Sequence, residues 1–537
     1  MELNPAVLAH AVELHAEATP ERRTLTFDYP DHVEPVSYRA LFQGAQTVAR
    51  TLAGLGVGEG ERFGLMMRNH PEFAHALVAA SLGGFVAVPL DPRMKGAKLR
   101  YMLEHSRARA VLCTHDLVPV LAEAIPAGGV RLLVTRVPAG ATLPPGALDL
   151  GAMLASPAGP AFAQRVTDPR APWQIVYTSG TTGDPKGVVC ENARFGVYAM
   201  IGKMIFGYQD DDVLYTGLSL THGNAQAVTF SNAIAHGLPA VISERFTKSR
   251  LWDVCRRHGC TTFSLLGGMA TAIYAEPPRP DDADNPVRFV VSAGMPRALW
   301  EDFERRFGVQ ILEWYGAVDG GVAFKPVGVG PVGSFGKPIP GMEMQVVDEH
   351  DQECPPGVTG ELICRYVGGP TRIEYLDNPE ASAAKTRGGW IRTGDLCHAD
   401  AEGWLFFDYR KGGGLRHNGD FVLPDYVERA AVEHPAVSDA CCYGVPAASG
   451  SPGESDIVLA VVPRATPPLE PVALFAHLEA RLEANFVPSY LQVLDEIPKT
   501  ISEKPQVRFL QERLGAGGAT VHRYEDHRPP RRAGHGA

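Results

Sequence analysis

No apolar run in the sequence is long enough to span a bilayer. The longest, near Ala76 to Leu90, is broken by Gly83 and Gly84. The start, MELNPAVLAHAVELHAEATPERRTLTF, has no basic region before an apolar stretch and reads as an amphipathic helix, not a leader. Positive charge is in deficit: Lys+Arg 50 against Asp+Glu 61, a net charge of −11. That argues against non-specific nucleic-acid binding, while leaving room for a local basic pocket. Nine cysteines in 537 residues, an odd number, define no disulfide framework and are expected to be reduced thiols. A Walker loop is missing as well, because no glycine stretch ends in Gly-Lys-Ser/Thr at the required spacing. The expectation is a cytoplasmic protein with no membrane and no nucleic-acid partner.

What is present is ordinary globular composition, 45% hydrophobic and 21% charged with mean hydropathy −0.07. At this length about two to four domains are expected. Residues 1 to about 170 alternate helical patterns with short apolar runs, as in RFGLMMRNHPEFAHALVAASLGGFVAVPL. That rhythm predicts an α/β fold with helix-covered parallel or mixed sheets.

The stretch YTSGTTGDPKGVV, residues 177 to 189, interrupts a strand-like run with small hydroxyls, glycines and a lysine. Gly180, Gly183 and Gly187 let the backbone approach a ligand closely. Thr178, Ser179, Thr181 and Thr182 add hydroxyls beside backbone N–H groups, and Lys186 adds a compact positive charge. This is equipment for polyphosphate oxygens; the competing reading is a flexible linker.

Other clusters have bland readings too. Cys255, His258 and Cys260 in WDVCRRHGCTTF could be metal ligands, but a helix ending at Gly259 would point them apart. GVGPVG, residues 328 to 333, matches a dinucleotide-binding glycine pattern, yet Pro338 and Pro340 block the helix that must follow. It reads as a loop. His222 sits past an apolar strand, where a polar strand end is the plain reading. Asp395 in RTGDL could be a turn aspartate.

Taken together, the motifs closely resemble those of the adenylate-forming (AMP-binding) superfamily: acyl-CoA synthetases, adenylation domains of peptide synthetases, and luciferases. These motifs stand in family order over roughly residues 10 to 510. The first is YTSGTTGDPKG. SLTHGNAQ resembles the segment beside the acyl pocket, with Ser219 and Thr221 replacing its proline and aromatic. SAGMP and WYGAVDGG resemble the segments along adenine, and RTGDL with Arg410 resembles the ribose motif. PKTISEKP resembles the final motif, and its Glu503-Lys504-Pro505 is nearest to the crotonobetaine/carnitine-CoA ligase-like branch.

The resemblance implies an ATP-dependent acid–CoA ligase using ATP, Mg2+ and coenzyme A. Its fold would be a large N-terminal domain, 1–409, with a small β-barrel subdomain, then a smaller mobile α+β domain, 410–515. Residues 516–537 are expected to be a disordered tail. By the same resemblance Thr178, Ser179, Gly180, Thr181, Thr182, Gly183 and Lys186 hold phosphates, and Gly294, Tyr315 and Gly316 lie along adenine. Asp395 and Arg410 bind ribose and nucleotide, and Asp319 helps hold magnesium. Lys504 bridges the substrate carboxylate and α-phosphate, and His222, Asn224, Gln226, Gly268 and Met295 line the acyl pocket, with His222 also near the chemistry. Two departures stand out: Val318 replaces a threonine that bonds the α-phosphate, and Gly412-Gly413-Gly414 replace the hinge. A loader of a carrier protein and a non-catalytic nucleotide-binding homologue remain alternatives. The mixed small and polar pocket segments favour a short or medium functionalised acid over a long fatty acid.

Overall fold

The computed structural model describes residues 3–125, 130–157, 159–178, 184–274, 276–369, 371–410, 414–418, 420–448, 454–498, 505, 507–515 and 520–527. The chain divides into two units. One is built from Met1–Pro92, Lys98–Thr178 and Lys186–Tyr409, and the other is mainly Arg410–Ala537.

In the first unit the expected strand–helix alternation produces two mixed sheets. A seven-stranded sheet runs Leu148–Asp149, Arg131–Thr135, Ala110–Thr114, Arg62–Met66, Val86–Leu90, Pro172–Thr178 and Lys186–Glu191 in spatial order. Two of its parallel strands, Val86–Leu90 and Ala110–Thr114, are buried along their whole length. Continuous apolar sequence is what a strand covered on both faces requires. The helix Pro71–Gly83 is apolar all round, every residue but His75 is buried, and the Trp173 indole donates to its Leu77 carbonyl at 3.0 Å. A nine-stranded sheet follows, ordered Lys337–Pro338, Val322–Lys325, Gln310–Gly316, Phe289–Ala293, Thr262–Leu266, Leu214–Thr216, Ala240–Ser243, Arg23–Asp28 and Val33–Ser37. Its central strands are parallel and carry candidate residues at their C-terminal ends.

The small subdomain is a four-stranded antiparallel sheet of Met342–Val347, Gly360–Tyr366, Ile391–Ala399 and Leu405–Arg410, a half-barrel. GVGPVG forms turns and no helix, and a Cβ on Gly330 would stand 2.5 Å from the Trp404 ring. Cys255 and Cys260 are buried in the main hydrophobic core. His258 turns its Nε2 to the buried Asp28 at 2.8 Å, beside Arg250 and Arg257.

The second unit holds a four-stranded sheet of Val437–Pro446, Ser455–Pro463, Tyr490–Val493 and Thr520–Arg523, with helices Pro424–Val432 and Pro471–Arg481. Val427, Leu459, Leu474 and Phe475 share its core. Here one expectation is corrected. The tail from 516 to 537 is not wholly irregular, because Thr520–Arg523 pairs antiparallel with Tyr490–Val493 and closes the sheet. The pairing uses backbone groups, to which a polar composition is blind, and the Tyr524 ring docks on Phe475 at 5.4 Å.

Candidate active site

The phosphate-loop strands form a hairpin, Thr178 opposite Lys186 and Tyr177 opposite Gly187. Ser179, Gly180, Thr181, Thr182 and Gly183 between them lie outside the described residues, as do Lys504 and Gly412. A Cβ on Gly187 would stand 2.7 Å from the Ile175 side chain, so glycine leaves room for Ile175 and Tyr177 on the paired strand. The Tyr177 hydroxyl meets His105 Nδ1 at 2.8 Å, and burial pushes its phenol above the ordinary range.

Beside this hairpin runs the segment around Tyr375. Gly187 accepts from the Leu376 N–H at 2.8 Å, and Val189 donates to the Glu374 carbonyl at 2.9 Å. The segment thereby adds an outer edge to Lys186–Glu191 and carries Tyr375 to the lysine: Lys186 Nζ lies 5.5 Å from the centre of the Tyr375 ring. The Tyr375 hydroxyl donates to Asp319 Oδ2 at 2.8 Å, and Lys385 Nζ approaches the same oxygen at 2.6 Å. Lys186 and Asp319, singled out from separate motifs, are thus joined through Tyr375. Val318 packs near Val188, Cys190 and Tyr375 in a small apolar cluster, which accounts for a methyl where the resemblance leads one to expect a hydroxyl.

At the adenosine end the Tyr315 hydroxyl donates to Asp395 Oδ2 at 2.5 Å. Burial first, then the Asp395 charge, pushes the Tyr315 phenol well above its ordinary pKa. The Tyr315 ring packs on Phe335 at 4.9 Å. Asp395 is fixed in turn by Thr393, whose hydroxyl accepts its N–H at 3.0 Å and donates to the Leu362 carbonyl at 2.6 Å. Gly316 ends the strand Gln310–Gly316, and Arg410 ends Leu405–Arg410. Gly294 adopts φ +91°, and its N–H and that of Met295 donate to the buried carboxylate of Glu313. A Cβ on Gly267 would fall 2.1 Å from the Gly294 carbonyl oxygen, so two bare backbones touch where Gly268 and Met295 were placed.

His222 is exposed, in a turn where its Nδ1 accepts the Asn224 N–H at 3.2 Å. Directly after it, Ala225–Phe230 winds as a π-helix, a rare form that recurs at functional sites. Gln226 is buried and exchanges amide hydrogen bonds with Gln174 at 2.9 and 3.1 Å. Asn224 is only 6% exposed, yet among the described residues neither its Nδ2 nor its Oδ1 has a partner. A Cβ on Gly223 would contact Val318 at 3.4 Å, placing this turn beside the Val318–Asp319 loop. Arg194 donates to the Val318 carbonyl at 2.8 Å and, among the described residues, has no acidic partner.

Tyr375, Lys385, Glu313 and Arg194 were not anticipated. Only Glu313 carries a signal, an acidic residue inside the apolar strand QILEWYG. Among the described residues no group of three or more His, Cys, Asp or Glu could hold a metal by itself. A single carboxylate, Asp319, has the chemistry to help hold a magnesium ion brought with nucleotide phosphates, and among the described residues nothing would cage a resident one.

The family model for AMP-binding enzymes matches residues 12–371, and that for the AMP-binding enzyme C-terminal domain matches 426–504. A sulfoacetate–CoA ligase of Cupriavidus necator is 30% identical over 508 residues, covering 93% of this chain and 96% of that protein. A medium/long-chain-fatty-acid–CoA ligase of Mycobacterium marinum is also 30% identical, over 85% and 86% of the two chains. A solved benzoate CoA ligase from Burkholderia xenovorans superposes with TM-score 0.68 at 26% identity, over 95% of this chain and 100% of that one. The fold is shared as well with the o-succinylbenzoate CoA synthetase of Bacillus subtilis, at TM-score 0.79 and 24% identity over 96% and 99% of the chains.

Proposed function

The chain belongs to the AMP-binding enzyme family, and from that membership we infer that it is an ATP-dependent carboxylic acid–CoA ligase. The acid's carboxylate attacks the α-phosphorus of ATP, pyrophosphate leaves, and an acyl adenylate forms. The CoA thiol then attacks the acyl carbonyl and AMP leaves. The observation that carries this reading is the two-ended site: Tyr315 with Asp395 at one end, Lys186 with Asp319 at the other.

The physical demands are screening of two anions, in-line placement and exclusion of water. Lys186 and the loop hydroxyls take the β- and γ-phosphates. Asp319 would hold magnesium, which offsets charge on the leaving pyrophosphate. Asp395 accepts from the ribose hydroxyls beside Tyr315. Lys504 would join the substrate carboxylate and the α-phosphate. A cytoplasmic location accords with reduced cysteines; among the described residues no helix is long and apolar enough to cross a membrane.

The acid is a small one with a second polar or anionic group. An orphaned buried amide at Asn224 costs about 1–3 kcal/mol unless a ligand satisfies it, and Arg194 brings a cation without a carboxylate to the same loop. The relationship to a sulfoacetate–CoA ligase supports this class. The crotonobetaine/carnitine-CoA ligase of Salmonella heidelberg is 25% identical, so the terminal-motif resemblance singles out no branch.

The test is carboxylate-dependent ATP–pyrophosphate exchange with matched acids: sulfoacetate and succinate against propionate, butyrate, octanoate and benzoate. Exchange restricted to the doubly charged acids, discharged to thioester by CoA, supports both parts. Preference for octanoate removes the substrate class and leaves the ligase; no exchange with any acid removes the ligase.

A further inference from the structure

We propose that Lys385 is the resident cation of the Asp319 carboxylate, so that this protein admits a divalent ion there only together with nucleotide. The proposal builds on the reading of Asp319 as the carboxylate at the pyrophosphate end of the ligase.

The pair is close and dry. Lys385 Nζ stands 2.6 Å from Asp319 Oδ2, and the two side chains are 11% and 7% exposed. The Tyr375 hydroxyl donates to that oxygen as well. A divalent ion binding alone must therefore displace an ammonium from a site where water cannot replace the lost contact.

Local structure holds the lysine in place. Asn378 caps the helix Pro379–Lys385, its Oδ1 accepting the Ala381 N–H at 2.9 Å, and Pro379 opens it. Ser382 Oγ accepts the Tyr375 N–H at 2.9 Å and donates to the Asn378 carbonyl at 2.8 Å. One short helix thus positions both donors to Asp319, with Lys385 in its last turn, where a cation is favoured. The Lys385 charge also reaches the buried Cys364 thiol, where it opposes the upward pull of burial.

Removing the ammonium takes the Lys385 charge away from a buried carboxylate and frees the position that a divalent ion would otherwise have to take from it. Nucleotide-free Mn2+ binding, followed by electron paramagnetic resonance on the full chain, tests this without acid, ATP or CoA. Lys385→Gln and Lys385→Met are expected to bind one Mn2+ about tenfold or more tightly than the parent. Lys385→Arg should stay at the parental level, and adding Asp319→Asn to either neutral variant should cancel the gain. The proposal is overturned if the parent binds Mn2+ as tightly as the neutral variants, or if the gain survives Asp319→Asn. Thermal melts verify folding, and the glutamine variant, which keeps a donor for Asp319, covers the case in which methionine does not fold. Failure here leaves the exchange assay untouched, so the two readings fall separately.

Discussion

The Tyr315 hydroxyl closes on Asp395 at 2.5 Å, tying the end of a parallel-sheet strand to the antiparallel half-barrel. The phenol fixes one oxygen of the carboxylate proposed to bind ribose, and its ring carries the face proposed for base stacking. The two functions can be separated. Tyr315→Phe keeps the ring and loses the hydrogen bond, so KM for ATP should rise about three- to tenfold with kcat little changed, as expected for a bond of roughly 1 kcal/mol. Asp395→Ala should cost substantially more in kcat/KM, since charge-assisted bonds to the nucleotide are the stronger ones. Pyrophosphate exchange at varied ATP measures both. Equal losses for the two would show that Tyr315 is not acting through Asp395.

Lys504 and Lys186 are proposed to serve different anions, and on that reading their substitutions should divide accordingly. Lys504→Ala is expected to slow exchange by about 10²–10³-fold, the scale for losing one preorganised donor to a developing charge. Thioester formation from synthetic acyl adenylate and CoA should survive in that variant. Lys186→Ala should weaken ATP and leave the second half-reaction intact. Loss of both half-reactions in Lys504→Ala would remove the case for a lysine confined to adenylation.

His75 gives the fold an acid limit. Its ring nitrogens are closed off from water without partners, and burial lowers its pKa from 6.5 to about 4, Arg136 adding to the fall and Glu72 opposing it. The unfolded chain therefore takes up a proton below about pH 6.5 that the folded chain refuses until about pH 4. The stability His75 contributes is full above 6.5 and is lost as pH falls through that window. Replacing it with leucine should reduce the difference in stability between pH 7 and pH 5 by roughly 1–2 kcal/mol. Thermal melts at the two pH values measure it, and an unchanged difference would exclude His75 as the group responsible.

Several of these relationships could be anticipated from the sequence and several could not. The strand that leads into the phosphate loop was legible because the apolar run Ile175-Val176-Tyr177 marks it, whereas the packing of Ile175 over Gly187 was not. The sheets of the first unit followed from strand–helix alternation. Lys385 was not legible: a lysine ending NPEASAAK looks solvated, and only tertiary packing brings it to Asp319. The strand Thr520–Arg523 was hidden by polar composition, because edge pairing is made by backbone. The π-helix at Ala225–Phe230 depends on a hydrogen-bond shift that apolar periodicity does not encode. Asn224 could be named as a pocket residue, but its lack of partners is a property of the packed chain alone.

The sharpest steric test lies at Gly267. A methyl there would stand 2.1 Å from the Gly294 carbonyl oxygen, a distance no relaxation of a side chain can relieve, since both atoms belong to the close approach of two backbones. Gly294, at φ +91°, cannot readily change its own path, and its N–H is held by Glu313. Gly267→Ala must therefore push apart the segments bearing Gly268 and Met295, both predicted to line the acyl pocket. The expected outcome is a rise of tenfold or more in KM for the acid, with a loss of about 2 kcal/mol or more in stability. KM for ATP should rise less, through displacement of Gly294 alone, because Lys186, Asp319 and Asp395 are held by other elements. Kinetics with each substrate varied in turn would decide it: a selective effect on the acid locates the pocket between these two backbones, and a selective effect on ATP moves it elsewhere.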